Sequence, residues 1–454
     1  MKKFTALSLA MTVALCSASV SAKVSPEQAA KLGKELTWMG AEKAGNADGS
    51  IPAWTGGITS APAGYKPGDH HPDPFSGDQV LYTVTAQNLD QYKDLLTPGQ
   101  IKLFETYPDT FKMNVYKTRR TASYPQHVYD ETVKNATRSE LIRGGNGISK
   151  AAVGVPFPMP KDGLEAIWNH TLRYRGEEVT REGGQAAPTA SGDYTYIGFN
   201  ESLILPYGKK GASYEELEQT NILFKFKQKV SEPARLAGTA LLVHETMDQV
   251  KTPRQAWTYN TGQKRVRRAP NVAYDAPGTA SDGLRTTDDF DMFNGAPDRY
   301  TWELKGKKEL LIPYNDYRLH SDQVKYDQIL QAGHINPDLV RYEKHRVWVV
   351  EATLKPGTSH IYKKRVFHID EDSWQIAVAD MYDNRNELYR VAVAHGLNYY
   401  ELPAHWSTLD VYHDLNSRRY IAIGLDNEHD MYDFSPTLQE RDFTSSALRR
   451  EGRR

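Results

Sequence analysis

Trp374-Gln-Ile-Ala-Val-Ala-Asp-Met-Tyr382, the pair Asp383-Asn384, and Leu388-Tyr-Arg-Val-Ala-Val-Ala-His395 form the stretch that decides the fold. Both runs are rich in β-branched and aromatic residues, alternate with period two and flank turn-forming residues. They read as two antiparallel strands. By that alternation Trp374, Ile376 and Val378 share one face of the first strand, with Gln375, Ala377 and Ala379 on the other. The same pattern extends outward. Arg346–Leu354 leads through Pro356-Gly357 into Ile361–Asp370, and Thr408–His413 pairs with Arg418–Gly424. Further upstream, Ile222–Val230 pairs with Leu236–Glu245, and Gln255–Asn260 with Gln263–Arg268 across Thr261-Gly262. Tyr300–Lys305 and Lys307–Ile312 pivot on Gly306. Consecutive antiparallel strands make a meander, expected over residues 163–434 and curling into an incomplete β-barrel.

Residues 23–162 read differently, as short helices among Gly- and Pro-rich loops that pack on the barrel. Ser25-Pro26-Glu27 supplies a cap, a first-turn proline and a first-turn acid, and Ala29, Leu32, Leu36 and Met39 then fall on one helical face. Further helices are expected at Gln87–Leu96, Pro98–Tyr107 and Pro125–Ile142. Residues 435–454 read as a surface tail carrying Arg449, Arg450, Arg453 and Arg454.

Lys2 and Lys3, the apolar run Phe4–Val20 and the small residues Val20-Ser21-Ala22 have the pattern of a signal peptide cleaved after Ala22. Cys16, the only cysteine, leaves with it. Leu15 is too large for the position before a lipidated cysteine, so a soluble periplasmic protein is expected, touching the outer membrane at most peripherally. A formal net charge of −1 argues against nucleic acid as a partner. The 27 tyrosines suit half-buried strands and polar–apolar boundaries.

No catalytic constellation emerges. His244-Glu245 lacks the second His of a zinc-protease helix, since Asp248 stands there. Asp69, His70, His71 and Asp73 lie in a Gly/Pro loop without a ligand frame. Asp288, Asp289 and Asp291 lack the Gly and closing Glu of a calcium loop. Gly-x-Ser-x-Gly is absent, and thiol chemistry has no cysteine to use. Neither a cofactor nor a metal is expected. Lys264-Arg265-Val266-Arg267-Arg268 is either a solvated strand edge or a cationic rim that meets a headgroup. Trp168-Asn169-His170 with Arg173, Tyr174 and Arg175 is either core packing around one satisfied His or a site.

Gly40-Ala41-Glu42-Lys43-Ala44-Gly45-Asn46, Ile51–Gly57, Phe157-Pro158-Met159-Pro160, Ile167–Gly176 and Phe293-Asn294-Gly295-Ala296-Pro297 together resemble the domain-of-unknown-function 1329 family of exported proteobacterial proteins. That family is described as similar to the outer-membrane lipoprotein-sorting proteins LolA and LolB. The link to them runs through the Trp257–Arg268 hairpin and through Val366–Asp370 leading to Met381-Tyr382-Asp383. The resemblance implies a curved, incomplete barrel with a helical lid over an apolar cavity for acyl chains. It also implies hand-over of cargo with a transporter of the resistance-nodulation-division type.

The expected function is therefore a non-enzymatic carrier of a lipid or other hydrophobic ligand. Trp257, Tyr259, Trp302, Trp348, Phe367 and Trp374 are the cavity candidates, and Arg265, Arg268, His170 and Arg173 the headgroup candidates. Two rivals stand beside it. An enzyme modifying an envelope lipid or glycan would place paired acids, or a His and an acid, in the cavity. A structural adaptor of a membrane complex would have a filled barrel and an exposed apolar patch. Intact-mass analysis of the exported protein should give a chain starting at Lys23, and a diacylated Cys16 would contradict that.

Overall fold

A computed structural model describes residues 24–269, 272 and 274–451. The expected signal peptide with Cys16, the expected cleavage point after Ala22, Arg453 and Arg454 lie outside these residues.

The N-terminal region begins with α1 (Pro26–Ala29), which a capping box between Ser25 and Gln28 holds to a single turn. The longer helix expected from the Ala29–Met39 spacing does not form. Gly33 turns the chain at φ +78°, and Leu32 and Leu36 pair as an isolated bridge. β1 (Tyr82–Val84) follows, and the helix expected at 87–96 resolves into two 3₁₀ turns. α2 (Pro98–Thr106) forms where the sequence predicts a helix, with Thr97 and Gln100 in a capping box at its start. Next come β2 (Met113–Val115) and α3 (Gln126–Arg138). The expected extension of α3 to Ile142 is instead β3 (Glu140–Ile142), which pairs with β4 (Gly147–Ser149). α4 (Gly163–Leu172) then starts at an Asp162 cap.

From there the chain is a sheet. β5 (Glu178–Ala186) and β6 (Ile197–Ile204) lead through α5 (Tyr214–Thr220) to β7 (Ile222–Val230), β8 (Ala240–Thr246), β9 (Gln255–Asn260) and β10 (Arg265–Arg268). After a loop come β11 (Tyr300–Pro313), α6 (Tyr326–Ile329), β12 (Tyr342–Leu354), β13 (Lys364–Asp370), β14 (Ile376–Tyr382), β15 (Leu388–Tyr399), β16 (Ala404–Asp414) and β17 (Arg419–Leu425). α7 (Ser445–Glu451) closes the described chain. Fifteen strands join one sheet. Two antiparallel meanders, β5–β10 and β11–β17, meet where β17 pairs with β5. β10 and β11 remain separate edges, so the sheet is not closed into a barrel. β1 and β2 extend it, with β2 parallel to β12.

Three local readings are corrected. Gly306 does not turn a hairpin; β11 runs straight through it, and a bulge with Gly306 at φ +102° absorbs one extra residue. β5 and β6 carry the charges and glycines of Arg181–Gly184 and Asn200–Ser202, which hid their period. In β14, His368 faces Val378 but Ile369 faces Ile376, so Ala377 is an unpaired extra residue. The bulge sends Ile376, Ala379 and Met381 to one core and Ala377 and Val378 to the other. Trp374 lies before the strand at φ +61°, held by its Nε1–H on Met39 O at 2.9 Å.

Apolar side chains fill both faces of the sheet. One core joins α3 and α4 to Phe367, Ile369, Trp374, Ile376 and Tyr412, and the other joins α2 and the 314–340 segment to Val347, Val349, Val391 and Val411. The helices are packed components of these cores rather than a detached lid. Where α2 meets β14, Asp380 is fully buried and receives the Thr97 hydroxyl at 3.0 Å, while its Oδ2 has no hydrogen-bond partner. Burial pushes its carboxyl up to about 7, against the opposing pull of the Gly99 amide and Thr97. The folded chain therefore keeps this proton between about pH 4 and 7, where the unfolded chain has released it. That stabilisation is complete below about pH 4 and is lost as pH rises through 7. Asp380→Asn should thus raise Tm by ~2 °C or more at pH 8 and leave it near wild type at pH 4. An equal loss at both pH values would contradict this.

Candidate functional site

The seam between the two meanders is built from few hydrogen bonds. Ala422 pairs with Ala186 and Ile423 with Gln185, and the register then slips so that Leu425 meets Gly184. Gly424 is the extra residue, at φ +106°, and a Cβ there would lie 2.3 Å from Thr408 O. Arg173-Tyr174-Arg175 leaves α4 directly beneath this opening, and a cavity of about 80 Å³ results. Arg173, Arg175, Arg181 and Arg285 line it with Glu201, Asp291 and Asp410. Phe199, Trp406 and Tyr432 supply aromatic wall.

The charges are nearly, but not fully, paired. Asp291 binds Arg173 at 2.5 Å and Arg175 at 2.6 Å. Burial alone would raise its carboxyl, yet the two guanidiniums hold it well below the usual carboxylate range. Arg181 pairs with Glu201, which also accepts from Gln228 at 2.6 Å. Burial pulls Arg175 down to about 10. Burial, with the Asp291 carboxylate adding to it, pushes Asp410 up to about 6. The Ser407 hydroxyl donates to Asp410 at 2.6 Å. Four guanidiniums thus face three carboxyl groups, of which Asp291 is held ionised and Asp410 is pushed toward neutrality. Arg173, Arg175 and Arg285 each leave a buried Nε–H without an acceptor among the described residues. Unpaired buried donors on a cationic wall favour an anion.

A second chamber of about 70 Å³ adjoins the first, and Gln228, Arg285 and Phe290 line both. Its walls are Phe224, Phe226, Leu241 and Val243 from β7 and β8, with the buried Glu245–Arg254 pair. Phe290 stands between the chambers, its ring 5.6 Å from that of Phe226. It belongs to the turn Thr287–Met292, which departs from helical geometry at Phe290 (ψ 134°) and Asp291 (φ 53°). His170 pins that turn. Its Nδ1 accepts from the Ile376 amide at 3.2 Å, so its Nε2 carries the proton donated to Asp291 O at 2.8 Å. Burial drives His170 down to about 3, which makes it a neutral core residue.

Of the cavity and headgroup candidates, Arg173 alone lines these chambers, with Arg175 of the same run beside it. Trp257 and Tyr259 face away from them. Register places them beside Leu242 and Ala240, under Phe443 and Leu448 of the C-terminal segment. Trp302 and Phe367 stack at 5.9 Å, Trp348 and Trp374 at 6.3 Å, and all four belong to the core that holds α4. Arg265 and Arg268 are exposed on the edge strand β10. Among the loop residues, His71 is buried, bonded to His320 at 3.0 Å and Glu401 at 2.8 Å, and is not solvated. Asp288 likewise is buried against Arg365 and His360. Arg181 and Glu201 lie in strands missed in the sequence and Arg285 in a long loop, while Asp410 lies in the expected strand Thr408–His413, whose nearness to the seam no sequence signal showed.

An uncharacterized protein of Pseudomonas aeruginosa, PA3922, is 53% identical over 443 residues, covering 97% of both chains. A solved family member from Desulfovibrio piger is 16% identical with a TM-score of 0.42, covering 60% of this chain and 92% of its own. A LolA superfamily protein from Nitrosomonas europaea is 14% identical with a TM-score of 0.35, covering 61% and 93%. A family model described as "Protein of unknown function (DUF1329)" matches residues 83–449. By that match and by the identity to its Pseudomonas relative, this chain belongs to the DUF1329 family.

Proposed function

We propose that this chain is a periplasmic binding protein for an anionic amphiphile, with the headgroup at the arginines of the seam and the apolar part beyond Phe290. The observation that carries this is the contiguity of a guanidinium-lined chamber and an aromatic one, bridged by Arg285 and Phe290. Hand-over to a resistance-nodulation-division transporter is the further step that the family resemblance suggests.

Size constrains the ligand. The two chambers are together comparable with an apolar cavity of about 150 Å³, which takes benzene. With the headgroup in the first chamber, the second, of about 70 Å³, suits an apolar group of roughly two or three carbons, worth ~2 kcal/mol at ~0.8 kcal/mol per methylene. Association costs on the order of 4–15 kcal/mol, so the charged contacts must supply the balance. A sixteen-carbon chain enters only if the Phe290 turn moves aside.

Displacement of a fluorescent fatty acid, run across chain lengths, tests the proposal. Arg285→Ala should weaken binding ~10-fold or more, the loss expected for a charge-assisted contact, while Trp257→Ala should leave it unchanged. Phe290→Ala should shift the preferred chain length upward. Equal weakening by Trp257→Ala and Arg285→Ala would contradict the site, and no saturable uptake at any length would contradict binding.

Asp410 favours a second reading, an enzyme acting on an envelope lipid or glycan. A half-buried acid raised to about 6 beside a depressed one, Asp291, has the divergence that acid–base pairs use. That reading requires turnover that falls as pH rises through 6 and is abolished by Asp410→Asn. Turnover unchanged in Asp410→Asn would exclude Asp410 as its acid. The adaptor reading gains less, since the exposed large hydrophobics among the described residues are Val80, Leu81 and Val250.

A further inference from the structure

Away from the seam, on the face of the sheet covered by Tyr314, His345 of β12 meets the turn after β13. His345, Asp370 and Asp372 are all buried, and a ligand atom from each lies within 4.8 Å of the other two. We propose that these three side chains form a structural site for a divalent transition-metal ion, with zinc as the probe.

Four features point there. Asp370 Oδ1 is buried and has no hydrogen-bond partner, although Oδ2 receives the Ser373 amide at 2.9 Å and its hydroxyl at 2.6 Å. The neighbouring acids each have a cation. Asp372 binds Arg120 at 2.7 Å, Glu371 binds Arg346 and Lys307 at 2.7 Å, and Glu343 binds Arg341 at 2.5 Å. Asp370 has only the imidazole of His345, whose Nδ1 is 3.9 Å from Oδ1. That gap is too long for a shared proton, yet two ligands at about 2.0–2.1 Å from one ion can span it. Finally, His345 Nε2 lies 3.0 Å from Glu343 Oε2. Glu343 also accepts from Asn315 at 2.9 Å and from the Arg119 amide at 2.7 Å, so it is a fixed carboxylate. It holds the proton on Nε2 and turns the Nδ1 lone pair toward Asp370, as carboxylates do behind metal-binding histidines.

An ion here would tie β12 to the β13–β14 turn and, through Arg120 on Asp372, to the 114–124 segment. The nitrogen-and-carboxylate donor set suits zinc or manganese better than a soft, sulfur-seeking ion.

The full exported protein, expressed with zinc and then dialysed, should retain one zinc per chain by elemental mass spectrometry. Removing it with a chelator should lower Tm by several degrees, and added zinc sulfate should restore it. Asp370→Asn, nearly isosteric, should lose the zinc. X-ray absorption of the wild type should show one imidazole nitrogen among oxygens, which keeps the test valid if the variant does not fold. A zinc-free protein whose Tm ignores both chelator and zinc would overturn the site. So would zinc retained equally by Asp370→Asn, or an ion with two or more imidazoles, since either places it on other histidines.

Discussion

The pairing of β17 with β5 is the constraint on which the rest of the molecule depends. Two meanders that would each end in open edges become one sheet through three register pairs and a glycine bulge. The bulge prevents the seam from zipping fully, and the side chains that would otherwise be excluded there are four arginines and their acids. Burying so many charges is tolerable because Arg173, Arg175 and Arg181 each bind a carboxylate and Arg285 donates to Thr286 O at 3.1 Å. Arg173 is the clearest case, bonded at once to His170 O, Asp291 and Gln375.

Asp291 gives this arrangement its physical sense. Its carboxylate sits on Arg173 and Arg175 as an anionic headgroup would, carried on a turn whose neighbouring Phe290 occupies the path to the aromatic chamber. The protein supplies its own acid and its own apolar plug to the site. Under the proposed function a ligand would compete with both, and its affinity would be the difference between two similar sets of contacts. Such an exchange suits a protein that must also release what it binds.

The sheet was legible in the sequence because its strands alternate over many residues and are separated by strong turn signals. Ile222–Val230 and Gln255–Asn260 form at the expected bounds. Legibility failed where one residue changes the geometry: Ala377 inverts the faces of β14, Gly306 bends a strand instead of ending it, and Gly33 stops a helix that spacing alone would continue. The site was far less legible. Aromatic side chains attract attention as cavity walls, but Trp302, Trp348, Phe367 and Trp374 fill a core, and Trp257 and Tyr259 lie on the opposite face of β9. Arg173 was accessible through the run Trp168-Asn169-His170 with Arg173, Tyr174 and Arg175. Arg285 and Asp410 are separated by more than a hundred residues and meet only through the seam, whereas Asp370 and His345 stand much nearer in sequence and are brought together by the neighbouring strands β12 and β13.

A crystal structure of the protein with a medium-chain alkyl phosphate tests the central claim most directly. The account predicts phosphate oxygens within hydrogen-bond distance of Arg285 and Arg175, the alkyl chain between Phe226 and Leu241, and the Phe290 ring displaced from its present position. A ligand bound beneath α7 against Trp257 and Tyr259, with Phe290 and the Asp291 ion pairs unchanged, would contradict it.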